Sequence, residues 1–182
     1  GVLTRTLPHR TIDQIGAPRM SVRMELSRIL IRELVDYQII ELREAEEFTD
    51  EDGAPQVRQL EEGRTFPIVI GLPEAQAIER RLSGTEIRRP QTHDLLANVI
   101  DALGAKLESI AITDLQDHTF FAEIRLKKGD GSVVGVDSRP SDAIALGIAW
   151  NAPIYVAEHV LAEAMSDPPE DPGESIDDED EA

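Results

Sequence analysis

Residues 136–150 read VDSRPSDAIALGIAW, and this stretch decides how the chain folds. A short β-like run ends at Asp137, and the polar turn RPSD (residues 139–142) leads into an almost wholly apolar segment. We therefore expect a strand, a sharp turn and a buried helix over residues 142–150. Helix N-termini present unpaired N–H groups and a partial positive charge, so they bind anions readily. The RPSD turn is thus the first candidate for a functional site.

A second polar turn of the same kind lies at residues 88–96, which read RRPQTHDLL. Thr92 is expected to cap a helix over residues 94–103, and Gly104 to end it. The apolar residues of this helix fall at helical spacing, which predicts that one face belongs to the core. These residues are Leu95, Leu96, Val99, Ile100 and Leu103.

The remaining segments have the pattern of strands joined in hairpins with helices between them. Strands are expected at residues 24–33, 37–44, 65–70, 105–115, 119–127, 133–137 and 153–156, and further helices at 73–82 and 158–165. Residues 44–63 are acidic and indicate an exposed hairpin loop, whereas Phe120, Phe121 and Trp150 are assigned to the core. The predicted fold class is α+β: a single compact domain with a mainly antiparallel sheet and helices packed around it.

Charge divides the 182 residues into three parts. Residues 1–23, rich in Arg, Pro and Thr, are expected to be disordered or an added extension, and residues 24–165 to form the folded domain. Residues 166–182 hold nine acidic residues and no Lys or Arg, which predicts a disordered acidic tail. The formal net charge of -18 argues against a broadly basic nucleic-acid-binding face but leaves room for a local basic patch.

Composition excludes several classes of site. The chain has no cysteine, which rules out disulfides, thiolate zinc sites and a cysteine nucleophile. The longest apolar run, residues 143–150, is far shorter than the ~20 residues that span a bilayer. No apolar signal segment opens the sequence, so we expect a cytoplasmic protein without a membrane partner. The HExxH, GxSxG and Gly-rich phosphate-loop motifs are absent.

The two turns combine residue types that suit phosphate chemistry. Arg139 and the amides of the following helix are candidates to hold a phosphate, while Asp137 or Asp142 positions water or a metal ion. His93 stands beside a carboxylate and a helix start, and an imidazole can give or take a proton near neutral pH. A basic cluster precedes this second turn: Arg80, Arg81, Arg88 and Arg89.

Each of these residues also has a purely structural interpretation. Ser141 and Thr92 are good helix caps, and Asp142 and Asp94 favour the positive end of a helix dipole. Arg139 would then simply pair with a neighbouring carboxylate, and the arginine cluster would be solvated surface charge.

Four segments of the chain carry a resemblance to a known family: IGLPEAQAIERRLSG, RPQTHDLLANVIDALGAKLESIAITDL, FFAEIRL and VDSRPSDAIALGIAWNAPIYVAEHVLAEA. Together they resemble the bifunctional nuclease domain family of bacteria and plants, over about residues 24–165. It implies an α+β domain on antiparallel strands, RNase and DNase activity as ascribed to plant members, and a homo-oligomer such as a dimer. The family motif positions in this chain are Glu74, Thr92, His93, Asp94, Asp137, Arg139, Pro140, Ser141 and Asp142.

The leading hypothesis is a nuclease that hydrolyses phosphodiester bonds in DNA or RNA. In it His93 is the acid or base, and Asp94, Asp137 and Asp142 orient water. Asp137 and Asp142 are the expected ligands of a divalent cation such as Mg²⁺, which prefers oxygen. The expected phosphate-binding residues are Arg88, Arg89, Thr92, Arg139 and Ser141.

A single site requires the two turns to lie within about 12 Å of each other, the reach of one metal cluster's ligands. Two alternatives remain open at this point. One is a non-catalytic module that binds an anionic metabolite, a nucleotide or a protein partner. The other is a structural role in which the turns bury their polar groups within an oligomer.

Overall fold

The strands form one sheet in the computed structural model, which describes residues 21–32 and 35–166. In chain order they are β1 (Ser21–Leu30), β2 (Tyr37–Thr49), β3 (Pro55–Gln59), β4 (Thr65–Gly71), β5 (Lys106–Gln116), β6 (Thr119–Lys127), β7 (Val133–Ser138) and β8 (Ile154–Ala157). The helices are α1 (Leu72–Leu82), α2 (Thr92–Ala102), α3 (Pro140–Gly147) and α4 (Glu158–Ser166), and a 3₁₀ turn at Ile148–Trp150 extends α3.

The sheet follows the order β3-β2-β1-β8-β5-β6-β7, and β4 also pairs with β2. The neighbouring strands pair antiparallel in the described ranges, except β5 and β8, which run parallel. That exception follows from the connection, because α3 lies between β7 and β8 and carries the chain back across the sheet. The α+β class and the mainly antiparallel sheet are confirmed.

Tight turns set the register of the hairpins in the second half of the sheet. Asp117 and His118 have φ angles of 47° and 58°, the left-handed pair that a two-residue hairpin requires between β5 and β6. The β6–β7 turn places Gly131 at φ 84°, where an L side chain would be strained. Both turns lie where the sequence predicts them.

The core is one cluster beneath α1 and α3. Every residue of helix α3 except Asp142 is buried, and Gly147 lets the helix approach β5 so closely that an added Cβ would lie 2.3 Å from Ile110 Cδ1. The sheet curves strongly enough to bring the rings of Phe66 and Phe120 to 5.5 Å between centroids. Phe121, assigned to the core from sequence, points outward instead and is 39% exposed.

The acidic segment at residues 44–63 differs from its predicted loop. Strand β2 continues to Thr49 and pairs with the fully exposed strand β3. Cross-strand contacts stabilise this hairpin: Arg58 lies 2.5 Å from the carboxylate of Glu46 and stacks over the ring of Phe48. The sequence does not show the alternation of apolar and polar residues that is typical of strands, because both faces of this hairpin are solvated and carry charged residues.

Two boundaries also need correction. Strand β1 begins at Ser21, inside the segment 1–23 that was expected to be an extension, and α4 reaches Ser166. The rest of that extension and of the predicted acidic tail lies outside the described residues. None of the helices within the described ranges is long and apolar enough to cross a bilayer.

Candidate functional site

The two polar turns lie side by side. Nε2 of His93 is 3.1 Å from Oδ1 of Asp142, although 49 residues separate the two along the chain. This distance is well within the about 12 Å that a single site requires. The strand order explains it, because β7 delivers the RPSD turn to the end of the sheet over which α2 begins.

The N-cap of helix α2 lies one residue earlier in the chain than the expected cap, Thr92. Gln91 is the N-cap residue, and Thr92 is already helical. The carboxylate of Asp94 accepts a hydrogen bond of 2.9 Å from the backbone N–H of Gln91 and lies 2.5 Å from Arg81 of α1. Since the Arg81 side chain is only 10% exposed, this ion pair anchors the turn from below. Asp94 therefore fixes the start of α2, and its carboxylate is directed toward α1.

Helix α3 also begins earlier than predicted. Arg139 is its N-cap residue and Pro140 its first helical residue, a position that suits the fixed φ and missing N–H of proline. Ser141, expected as the cap, thus lies inside the first turn and is 5% exposed. Asp142 occupies the same turn and projects toward α2.

A network of charges connects the first turns of three helices. Arg139 donates from Nε to Asp142 Oδ2 at 2.7 Å and from a terminal nitrogen to Glu74 Oε1 at 2.9 Å. Glu74 lies in the first turn of α1, directly after the Gly71 cap. A Cβ at Gly71 would lie 2.4 Å from Glu74 Oε2, so the missing side chain leaves the space that this carboxylate occupies.

The environment of Asp142 determines whether His93 or Asp142 carries the proton of the hydrogen bond between them. Burial raises the pKa of Asp142, but hydrogen bonds and charge from Arg139 and His93 outweigh it and hold the pKa below its ordinary value. The carboxylate is therefore ionised at neutral pH and only accepts hydrogen bonds. It follows that Nε2 of His93 donates this hydrogen bond, which makes Nδ1 the ring nitrogen that can accept a proton.

These groups surround an open cavity of about 380 Å³. The cavity contacts the N-terminal residues of α1, α2 and α3, and its lining consists of Pro73, Glu74, Gln76, Ala77, Arg80, Gln91, Thr92, His93, Arg139 and Asp142. Three helix dipoles and two arginines contribute positive potential, which two carboxylates partly offset. The arrangement can hold an anion beside an imidazole.

The structure brings four of the predicted site residues together and separates the others. Thr92, His93, Arg139 and Asp142 line the cavity. Arg88 and Arg89 lie exposed in the loop before α2, outside the cavity. Asp137 is exposed on β7, where it pairs with Glu123 of β6, also outside the cavity. The buried Ser141 and the anchoring Asp94 do not line it either.

Glu74 and Arg80 were missed as members of the site. The signal for Glu74 was present, because it is a motif position of the resembled family and follows the Gly71-Leu72-Pro73 helix start. Arg80 belongs to the predicted basic cluster. It lines the cavity, whereas its neighbour Arg81 points to another side of α1 and pairs with Asp94, and the sequence alone does not distinguish the two arginines.

Asp137 and Asp142, the expected ligands of a divalent cation, do not line the same cavity. The described part of the chain contains no group of three or more His, Asp or Glu side chains placed to hold one ion. Asp142 has one oxygen on Arg139 and the other on His93, and Asp137 does not reach it.

A larger cavity of about 620 Å³ lies between β1, β3 and the end of α3. Its charged lining residues Arg23 and Glu25 pair with each other at 2.5 Å. It contains no histidine, and the chemistry described above therefore belongs to the smaller cavity.

Comparison with known proteins identifies a family model that covers helices α1–α4 and several relatives. The bifunctional nuclease domain matches residues 57–168. An uncharacterized protein of Mycobacterium tuberculosis is 42% identical over 108 residues, which are 59% of this chain and 63% of the relative. Bifunctional nuclease 2 of Arabidopsis thaliana is 28% identical over 100 residues, which are 54% of this chain and 30% of the plant protein.

This chain thus spans less than two thirds of the relatives it matches. The family match begins within the β2–β3 hairpin, and β1 and β2 complete the sheet on which the matched region is built. All of the cavity-lining residues lie within the match. This chain belongs to the bifunctional nuclease domain family.

Proposed function

We propose that this chain hydrolyses phosphodiester bonds of DNA or RNA in the cavity between the first turns of α1, α2 and α3. The observation that carries the proposal is the hydrogen bond between His93 and an ionised Asp142 beside Arg139. Family membership supports the same reaction class, since two Arabidopsis relatives are named bifunctional nucleases.

His93 is the proposed general base. Its Nδ1 accepts a proton from a water molecule as the water oxygen attacks phosphorus, and the bond between phosphorus and the leaving oxygen breaks. Asp142 keeps the imidazole in the correct tautomer and stabilises the imidazolium that forms. The proton passes from the imidazolium to the leaving oxygen or to solvent.

Arg139 and Arg80 are the proposed phosphate-binding residues. A guanidinium has five N–H donors, and the two pairs described above leave Arg139 with three. Its side chain is 64% exposed and lines the cavity, so these donors are accessible to a bound phosphate. Arg80 lines the same cavity from α1. Charge-assisted hydrogen bonds to phosphate oxygens orient the substrate and offset the negative charge of the body.

A cleavage assay tests the proposal. The purified chain is incubated with labelled single- and double-stranded DNA and RNA, in Mg²⁺, Mn²⁺ or EDTA, with His93→Gln and Asp142→Asn variants. We expect cleavage by the wild type and a loss of about 10²–10⁴-fold in both variants, the usual contribution of acid–base catalysis. The cation series measures directly whether a divalent metal takes part.

The chain offers a matched control pair. His159 lies 3.7 Å from Asp114 on the exposed surface, outside the cavity. His159→Gln and Asp114→Asn repeat the same chemical changes there, and both should retain full activity. Cleavage that survives in His93→Gln and Asp142→Asn contradicts the proposed site and points to a contaminant or another site.

A second candidate function is a non-catalytic module that binds an anionic metabolite, a nucleotide or a protein partner. It is favoured by the complete pairing of Asp142 and Asp94, each of which holds two donors. This function predicts that the wild type binds oligonucleotides or nucleotides in an Arg139-dependent way but cleaves none of them. Action in the cytoplasm remains a prediction for both functions.

A further inference from the structure

Arg88 and Arg89 have no carboxylate partner among the described residues. The chain holds 36 Asp and Glu residues against 18 Lys and Arg, so arginines without a partner call for an explanation. Within the described ranges, Arg80, Arg88 and Arg89 are the arginines whose guanidinium groups neither pair with a carboxylate nor donate a hydrogen bond. Ion pairs with carboxylates hold most of the others: Arg23, Arg28, Arg58, Arg64, Arg81, Arg125 and Arg139.

The loop that carries Arg88 and Arg89 begins and ends at the smaller cavity. Arg80, near the end of α1, and Gln91, the N-cap of α2, both line that cavity. The backbone N–H of Thr85 donates to the carbonyl of Arg80 at 3.1 Å, and the backbone N–H of Gln91 is held by the carboxylate described above, so both ends of the loop are fixed. Arg89 and Arg88 precede Gln91 by two and three residues, about 7–10 Å of extended chain. The two exposed arginines therefore stand on the rim of the cavity, outside its lining.

The charges inside the cavity offset one another. The carboxylates of Glu74 and Asp142 face the guanidinium groups of Arg80 and Arg139, two negative charges against two positive ones. The whole chain carries a formal net charge of -18, which repels a polyanion. Local positive charge that is not already balanced by a partner must therefore come from the rim. Glu86 lies in the same loop but forms no ion pair with the described residues.

We propose that Arg88 and Arg89 bind the phosphate groups that neighbour the scissile one, so that the preferred substrate is a polynucleotide strand with at least one phosphate beyond the bond that is cleaved. This inference rests on the proposed function, because it takes the cavity as the place where the scissile phosphate binds. A guanidinium offers five N–H donors that match phosphate oxygens, and those of both residues are free in the described structure. A phosphodiester with a single phosphate group, such as a dinucleotide, occupies the cavity but leaves the rim empty.

The proposal explains how an acidic protein binds an acidic polymer. Each phosphate that an arginine neutralises releases counterions from the strand, and this term supplies much of the affinity of proteins for nucleic acids. The sequence alone suggested that Arg88 and Arg89 hold the phosphate in the site itself. Their place on the rim assigns them to the next phosphates along the strand, and so makes them determinants of substrate length.

Cleavage of substrates of different length tests this role. The kcat/KM of the full chain is measured on a dinucleotide with one phosphate and on a single-stranded pentanucleotide with four. We expect the wild type to prefer the pentanucleotide, and Arg88→Gln/Arg89→Gln to lower the ratio of the two kcat/KM values by about 10-fold, the combined effect of two exposed ion pairs. A wild type without length preference overturns the proposal. An equal loss on both substrates also overturns it, because it would mean that the arginines merely support the loop.

Lys106→Gln/Lys128→Gln is the matched control. Both lysines are exposed, and Lys128 follows the end of β6, which pairs with the first residue of β7, whereas the cavity lies beyond the last residue of β7. The control removes the same two charges far from the cavity and should leave the length preference unchanged. An equal effect of the control would show that net charge alone decides the preference, which contradicts the proposal.

Binding to an uncleaved strand separates this inference from the proposed function. Fluorescence anisotropy measures the affinity of the wild type and of Arg88→Gln/Arg89→Gln for a labelled single strand with phosphorothioate linkages. Between about 50 and 200 mM salt, the slope of log K against log salt should be smaller in the variant by roughly 1.4, since each phosphate contact on a single strand contributes about 0.7. An unchanged slope overturns the inference even if the wild type cleaves. A wild type that cleaves nothing overturns the proposed function, while the smaller slope would still show that Arg88 and Arg89 bind phosphates of the strand.

Discussion

Arg139 binds Glu74 and Asp142 at once, at 2.9 Å and 2.7 Å, and so joins the first turns of α1 and α3. Through Asp142 the same chain of contacts continues to His93 in α2. Three helices that begin at different points of the sequence therefore present one connected set of ionisable groups. The cavity depends on the correct packing of all three, and disturbance at one helix start reaches the others.

Gly71→Ala is expected to impair the site without unfolding the protein. The new methyl group would lie 2.4 Å from Glu74 Oε2, and this flexible carboxylate can swing away at little cost. Arg139 then loses its contact with Glu74 and binds phosphate in a less fixed position. We expect a KM increase of several-fold, with kcat and the melting temperature nearly unchanged, measured by steady-state kinetics and thermal denaturation.

Glu74→Gln is the companion to that experiment. Glutamine keeps the shape and removes the charge, so it should reproduce the KM effect if Glu74 acts by holding Arg139. Normal kinetics in both variants would show that the Glu74–Arg139 pair has no part in substrate binding.

Asp94→Ala is expected to affect stability more than chemistry. It removes the partner of Arg81, whose side chain is 10% exposed, and leaves a buried charge unpaired. Loss of one member of a buried pair costs roughly 3 kcal/mol in the free energy of unfolding. Urea denaturation measures this loss, and Arg81→Met/Asp94→Ala should recover a large part of it because the unpaired charge is gone.

A catalytic role of Asp94 would produce the opposite pattern. The double variant would then regain stability while its cleavage rate stayed as low as that of Asp94→Ala. The structure leads us to expect that rate and stability recover together, since the Asp94 carboxylate anchors the start of α2.

The sequence predicts the fold well where one physical signal dominates. Hairpin turns at Asp117-His118 and Gly131 leave few conformations, and Pro140 followed by an apolar run places α3 within two residues of its observed start. Turns and helix starts of this kind are determined by the backbone preferences of a few neighbouring residues, which can be read from a single sequence.

The sequence does not predict the burial or the position of a side chain where these depend on which other element packs against it. Leu95 and Val99 have ideal core spacing, but spacing cannot show whether another element covers that flank, and within the described residues none does. Asp137 and Asp142 stand five residues apart, yet a strand and a turn direct them to different places. In both cases the outcome depends on how the helices and strands pack against one another, which is a property of the assembled fold.

Arg139→Gln is expected to raise the pKa of Asp142. Burial already favours the protonated acid, and Arg139 is a principal group that opposes it in the folded protein. Carbon-detected NMR of the side-chain carboxyl should therefore show Asp142 titrating at a higher pH in the variant than in the wild type. Arg28→Gln, which removes a distant partner of Glu41, should leave the Asp142 titration in place. An unchanged titration in Arg139→Gln would contradict the described network.

Acid should weaken the fold through Glu44. A hydrogen bond from the Arg64 guanidinium lowers the pKa of Glu44 despite partial burial, and Arg64 also pairs with Glu158 of α4 at 2.5 Å. Because the folded pKa lies below the ordinary value of 4.5, the stabilisation is complete above that pH and is lost as pH falls through the folded pKa. Urea denaturation at pH 7 and pH 3 measures the difference. Glu44→Gln should cost about 1 kcal/mol at pH 7 and much less at pH 3, whereas a loss equal at both pH values would mean that packing and not charge accounts for the effect.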